Sequence, residues 1–233
     1  MSPAAIASLG LILGLRHAFE PDHLAAVSTL ATRQGRLSDG VRLGIAWGVG
    51  HTATVALVTL VVLATGWQLP ARFSAVAELL VAVLLMLLGL PVIVRYARGR
   101  WHMHAHAHEG APHLHLHSHA ESAAHAHAHP AWDVRRSLGL GLAHGLAGSA
   151  VIVVLITAAA PTAAGRVAYV VAFGVGTVLG MLGVSIALGL LVRATSQAGA
   201  RWARVLHLGS AAASVAAGCV LALRVVGEVA GVR

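Results

Sequence analysis

Along the chain, long apolar runs alternate with short polar gaps. Six runs can be traced, over about 3–31, 41–65, 73–95, 137–160, 166–192 and 205–227. A hydrocarbon core about 30 Å thick takes about 20 apolar residues of helix to cross, so each run is long enough for one passage. In lipid the backbone must satisfy its own hydrogen bonds, and a helix does so within one segment. The pattern therefore predicts an all-α, polytopic transmembrane helix bundle of about six spans. Three spans fall at 1–95 and three at 135–233, on either side of a loop at 96–134. Only the first run is interrupted, by the polar patch Arg16–His23, and the helix is expected to break at Pro21. Residues 1–15 lack the basic start and small-residue cleavage site of a signal peptide, so the first run reads as a retained span.

Composition sharpens this picture. The chain has 233 residues, 58% hydrophobic and 10% charged, where a soluble domain is about 25% charged. A soluble enzyme, a secreted disulfide scaffold and a disordered protein are all disfavoured. Cys219 is the single cysteine, which leaves neither a disulfide framework nor a CxxC pair. The net charge of +8 would raise nucleic acid as a partner. Every basic residue is Arg, however, and almost all lie in the gaps between runs, so the charge reads as membrane orientation. Eleven fall in the first, third and fifth gaps: Arg33, Arg36, Arg42, Arg95, Arg98, Arg100, Arg135, Arg136, Arg193, Arg201 and Arg204. The other side holds Arg72, Arg166, Arg224 and Arg233. Positive charge marks the cytoplasmic side. The expectation is a multi-pass protein of the cytoplasmic membrane with both termini outside and the 96–134 loop inside.

Trp67, Trp101, Trp132 and Trp202 lie at or just outside run ends, as interfacial rings do, whereas Trp47 sits inside a run. Gly pairs within the runs allow close helix approach. A weak repeat is also visible: Arg42 precedes His51, and Arg135 precedes His144, by the same interval in Gly-rich stretches, as in the repeated halves of transporters.

The chemistry concentrates in Arg16-His17-Ala18-Phe19-Glu20-Pro21-Asp22-His23. Ionisable groups at membrane depth are costly and face partners or a water-filled cavity. On an unbroken helix Asp22 would lie roughly 140° from His17, and His23 roughly 240°. Pro21 breaks the helix and suits the first position of a second half-helix, capped by Glu20 or a neighbour, so the groups can converge. Imidazole with carboxylate suits Ni²⁺, Co²⁺ or Zn²⁺; an oxygen-only site for Mg²⁺ or Ca²⁺ would not need the histidines. The competing account is a buried knot of salt bridges. His51 and His144 would each alone read as core histidines; beside this motif they read as contributors, with Thr52, Thr54 and Ser149 as supporting hydroxyls. Glu78, in the third run, reads as interfacial.

Eleven of the 16 histidines fall in the loop: His102, His104, His106, His108, His113, His115, His117, His119, His125, His127 and His129. Such a tract binds divalent metal in several registers, and with Glu109 and Glu121 it reads as a cytosolic metal buffer. No HExxH, Walker A or Gly-rich dinucleotide motif is present. Neither a catalytic residue nor a prosthetic cofactor is expected.

The heptad His17–His23 resembles the H-x4-D-H motif of the nickel/cobalt transporter family (NiCoT), and LGLRHAFEPDHLAAVSTL is similar to its shorter six-span, urease-accessory (UreH-like) members. Gly50-His51-Thr52 and LGLGLAHGLAGS resemble the family's further His-bearing segments. The resemblance implies metal recognition by His17, Asp22 and His23, with His51 and His144 contributing. Glu20-Pro21 stands where many members have Asp-Ala, which leaves the part of Glu20 as a further metal candidate open. It also implies ATP-independent movement of Ni²⁺ or Co²⁺, taken here as uptake; the alternatives are efflux, or a membrane-anchored accessory protein delivering nickel to an enzyme such as urease. The expected partners are the lipid bilayer, divalent metal ions and nickel-enzyme maturation proteins, with no nucleic acid.

Overall fold

The structure is a computed structural model that describes residues 2–32, 37–66, 70–98, 102–108, 111–117 and 130–231. Among these are seven helices: α1 (Pro3–His17), α2 (Pro21–Ala31), α3 (Leu37–Thr65), α4 (Ala71–Ala97), α5 (Pro130–Ala159), α6 (Ala163–Ala198) and α7 (Ala200–Ala230). Each of the six apolar runs lies on helix, the first being divided between α1 and α2. Four helices are long and apolar enough to cross a membrane by themselves: α3, α4, α6 and α7. α5 is 30 residues long and carries no Asp, Glu, Lys or Arg from Ser137 to Ala160. α1, at 15 residues, reaches only about 22 Å at 1.5 Å per residue; it needs α2 to complete a crossing. The chain is a polytopic membrane helix bundle.

One departure from the helical pattern lies in the loop. β1 (His102–His108) and β2 (Ala111–His117) pair antiparallel, with His102 opposite His117, His104 opposite His115 and His106 opposite His113. His119, His125, His127, His129, Glu109 and Glu121 lie outside the described residues.

The bundle is apolar outside and partly polar inside. Leu60, Leu87, Val171 and Leu223 are among its exposed side chains, an arrangement that suits lipid and would be costly in water. Thr29, Thr177, Ser185 and Ser214 are buried. Buried hydroxyls stitch helices together: Thr29 donates to Ser210 O at 3.1 Å, Ser214 to Leu85 O at 2.8 Å and Ser137, also buried, to Leu43 O at 2.7 Å.

Glycines set how close the helices come. A side chain at Gly141 would meet the Trp47 backbone, one at Gly145 that of His51, and one at Gly50 that of Leu138. α3 and α5 therefore touch backbone to backbone, running parallel. Gly10 and Gly14 meet Tyr169 and Phe173 in the same order, so α1 and α6 are also parallel. Gly44 meets Ser185 and Gly174 meets Thr52, which makes α3 and α6 antiparallel; Gly89 against Ala211 and Gly218 against Ala82 do the same for α4 and α7. These relative directions are those of a chain crossing up and down in turn. At the joint between α6 and α7, Gly199 has φ +116, a value that residues with a side chain rarely adopt.

Candidate functional site

The first span breaks where the polar heptad begins. α1 ends at His17, and the turn is closed by Phe19 N donating to Arg16 O and Glu20 N to His17 O, both at 3.0 Å. Pro21 opens α2 in its first turn, where its missing N–H costs nothing. Glu20 occupies the N-cap position, but its side chain makes no cap hydrogen bond. Instead Oε2 lies 3.0 Å from His17 Nδ1. Against the capping expectation, the carboxylate goes to the imidazole, which its position opposite the end of α1 brings within reach. Asp22 sits in the first turn of α2.

α1, α2, α3 and α5 each deliver a group to one point. His17 Nε2 is 3.0 Å from His51 Nε2. His144 Nε2 is 2.8 Å from Asp22 Oδ2, and His23 Nδ1 is 3.2 Å from Asp22 Oδ1. The His23 ring centroid lies 4.5 Å from that of His17, 5.1 Å from His51 and 4.2 Å from His144. His23 is 1% exposed and His51 0%. His23 Nε2 and His51 Nδ1 have no hydrogen-bond partner among the described residues. A buried polar atom left unpaired is costly, and here two occur on rings whose centroids are 5.1 Å apart. The ligand-type atoms form two groups within 4.8 Å: His17, His23 and His51, and Asp22, His23 and His144.

Of the six residues singled out in the sequence, five converge. Glu20 belongs to neither group and stands behind His17, with its side chain 52% exposed. With Nδ1–H donated to Glu20, His17 Nε2 would keep its lone pair for the cluster, the arrangement that commonly orients metal-binding imidazoles. Thr52 and Thr54 do not back the imidazoles as expected: Thr52 donates to Gly174 O at 3.4 Å and Thr54 to Leu142 O at 2.9 Å, so both join helices. The Ser149 side chain lies outside the described residues. Two rings flank the cluster: Trp47 stands 5.4 Å from His144 and Phe173 5.5 Å from His17. Trp47 had a signal, as the tryptophan inside a run; Phe173, one apolar residue among many in α6, had none.

Residues 4–226 match the family model of the high-affinity nickel-transport protein (NicO). The chain belongs to this family. The transporter is also 33% identical to the urease accessory protein UreH of Bacillus sp. (strain TB-90) over 180 residues, which is 75% of this chain and 72% of that protein. No solved structure matches it. Family membership makes the chain a membrane transporter of the nickel/cobalt class, with its converged histidines inside the matched segment.

Proposed function

We propose that the transporter takes up Ni²⁺ or Co²⁺ through the cytoplasmic membrane without ATP, holding the ion at His17, Asp22, His23, His51 and His144. One observation carries this reading: four helices bring four imidazoles and a carboxylate together at a helix break, with two ring nitrogens buried and unpaired. Imidazole and carboxylate are the ligands that borderline divalent ions prefer. The ion would shed most of its water here, and relative movement of the helices would expose it to the other side. No covalent step is needed, so no group acts as a catalyst.

The remaining assignments rest on the Arg distribution and the loop sequence. Residues 1–95 and 135–233 form two three-span halves, both termini face outward, and the 96–134 loop lies in the cytoplasm, where its histidines buffer incoming metal. Release from that loop serves nickel-enzyme maturation proteins, a role with which the name of the UreH relative agrees.

Accumulation of radiolabelled Ni²⁺ tests this in cells with and without the transporter, and with His17→Ala and Asp22→Asn. Uptake requires more label with the wild-type chain and background label with either variant. Less label identifies efflux, and no difference among the three removes the transport reading. Serine at all eleven loop histidines separates the accessory reading from uptake: delivery alone would be lost with the loop, whereas a permease retains its flux.

A further inference from the structure

The cluster is not evenly arranged, and the unevenness has chemical content. Its two groups of ligand-type atoms share one member, His23. On one side are two imidazoles, His17 and His51, their Nε2 atoms 3.0 Å apart. On the other are Asp22 and His144, at 2.8 Å, with His23 Nδ1 a further 3.2 Å from the carboxylate. Two ligands at right angles with bonds of about 2.05 Å are separated by about 2.9 Å, close to all three distances. The His51 and His144 ring centroids are 6.1 Å apart, farther from each other than either is from His23, at 5.1 and 4.2 Å.

Resting on the reading of this cluster as the metal site, the geometry points to two ion stations joined by His23, an imidazole station (His17, His23, His51) and a carboxylate station (Asp22, His23, His144). A neutral imidazole has one in-plane lone pair to give, so His23 serves one station at a time and the pair holds one ion. The stations differ in charge. Three neutral imidazoles leave a dication uncompensated among helices, whereas Asp22 offsets half of its charge, and an uncompensated buried charge is costly. The carboxylate station is therefore the resting place and the imidazole station the transfer position. The helices that supply them alternate in the same way: His51 comes from α3 and His144 from α5, the two helices packed parallel through glycine. A shift of the ion across His23 exchanges the α5 ligand His144 and the α2 carboxylate for His17 of α1 and His51 of α3.

The test uses the full chain with its eleven loop histidines replaced by serine, so that bound metal reports the cluster alone. Co²⁺ is the probe, read by its d–d absorption and X-ray absorption, and Ni²⁺ flux is measured in proteoliposomes. The unmodified cluster should hold one Co²⁺ per chain. His51→Ala should hold one with the same spectrum, yet lose flux at least tenfold. His144→Ala should hold Co²⁺ more weakly, with a nitrogen-richer spectrum. His51→Gln and His144→Gln, which keep a hydrogen-bonding end, replace the alanine variants if those elute as aggregates. Two ions per chain, loss of binding in both single variants, or one spectrum for both would replace the two stations by a single five-ligand site and leave the metal reading standing. Stoichiometric binding and normal flux in His23→Ala would remove the metal reading as well as the stations.

Discussion

The transporter contains two populations of histidine that obey different physics. In the loop, eleven occur within 28 residues, and local sequence alone brings them near one another, with three pairs set opposite in β1 and β2. In the bundle, four come from distant parts of the chain and meet only because α1, α2, α3 and α5 are packed together. The first arrangement is dense and tolerant of register; the second is sparse and depends on every helix seam. On the proposed reading, density provides capacity, whereas convergence provides a defined coordination shell.

That contrast can be broken experimentally at several points. The largest effect belongs to the residue common to both ligand groups: His23→Ala should lower Ni²⁺ flux at least a hundredfold in proteoliposomes. Next comes a residue that touches no metal. Gly141→Leu would drive a side chain into the Trp47 backbone, and overpacking of this kind costs about 1–3 kcal/mol or more. Flux should fall at least tenfold and the detergent-solubilised transporter should melt lower; unchanged values for both would show the α3–α5 seam to be dispensable. Glu20→Gln removes the carboxylate behind His17, and supporting groups of this type are worth about 10–100-fold in metal affinity. With Glu20 half exposed, roughly tenfold weaker Co²⁺ binding is expected, with the chain otherwise intact. Acidification competes with metal, because imidazole must be unprotonated to ligate: bound Co²⁺ should fall as pH falls, and binding that rose would contradict imidazole ligation. Replacing the loop histidines should change the initial Ni²⁺ flux less than twofold and, if transport is inward as proposed, lower the amount retained. The smallest effect is expected from Arg224→Ala, since its pair with Glu228 is exposed on both sides and such pairs are worth about 1 kcal/mol or less.

Much of the bundle was legible in the sequence because the bilayer imposes its own length scale. Apolar runs of the right size became helices, and Pro21 became the start of α2, since its ring dictates where a helix can begin. The heptad His17–His23 stood out because ionisable side chains are costly in a span, and the structure brings His17, Asp22 and His23 together. Which helices become neighbours was far less legible. The Arg42–His51 and Arg135–His144 repeat suggested repeated halves without saying that α3 and α5 touch, and the α1–α6 and α4–α7 seams depend on glycines spread through every run, where composition does not say which glycine meets which backbone. The Thr52 and Thr54 hydroxyls illustrate the same limit. Their sequence position beside His51 put them near the cluster, while their direction around α3 sends one to α6 and the other to α5.

The α3–α5 seam also works as a ruler. Ser137 bonds to Leu43 across a sequence separation of 94 residues, and the Trp47–Gly141 and His51–Gly145 contacts repeat that separation. Inserting one residue between Gly141 and His144 would turn the imidazole by about 100° around the helix, away from Asp22, while every helix remained a helix. The length of the loop between the two halves carries no such constraint, because α5 begins its count only at Ser137. Variation in chain length should therefore be confined to the loop and excluded from the two short stretches that lead into His51 and His144.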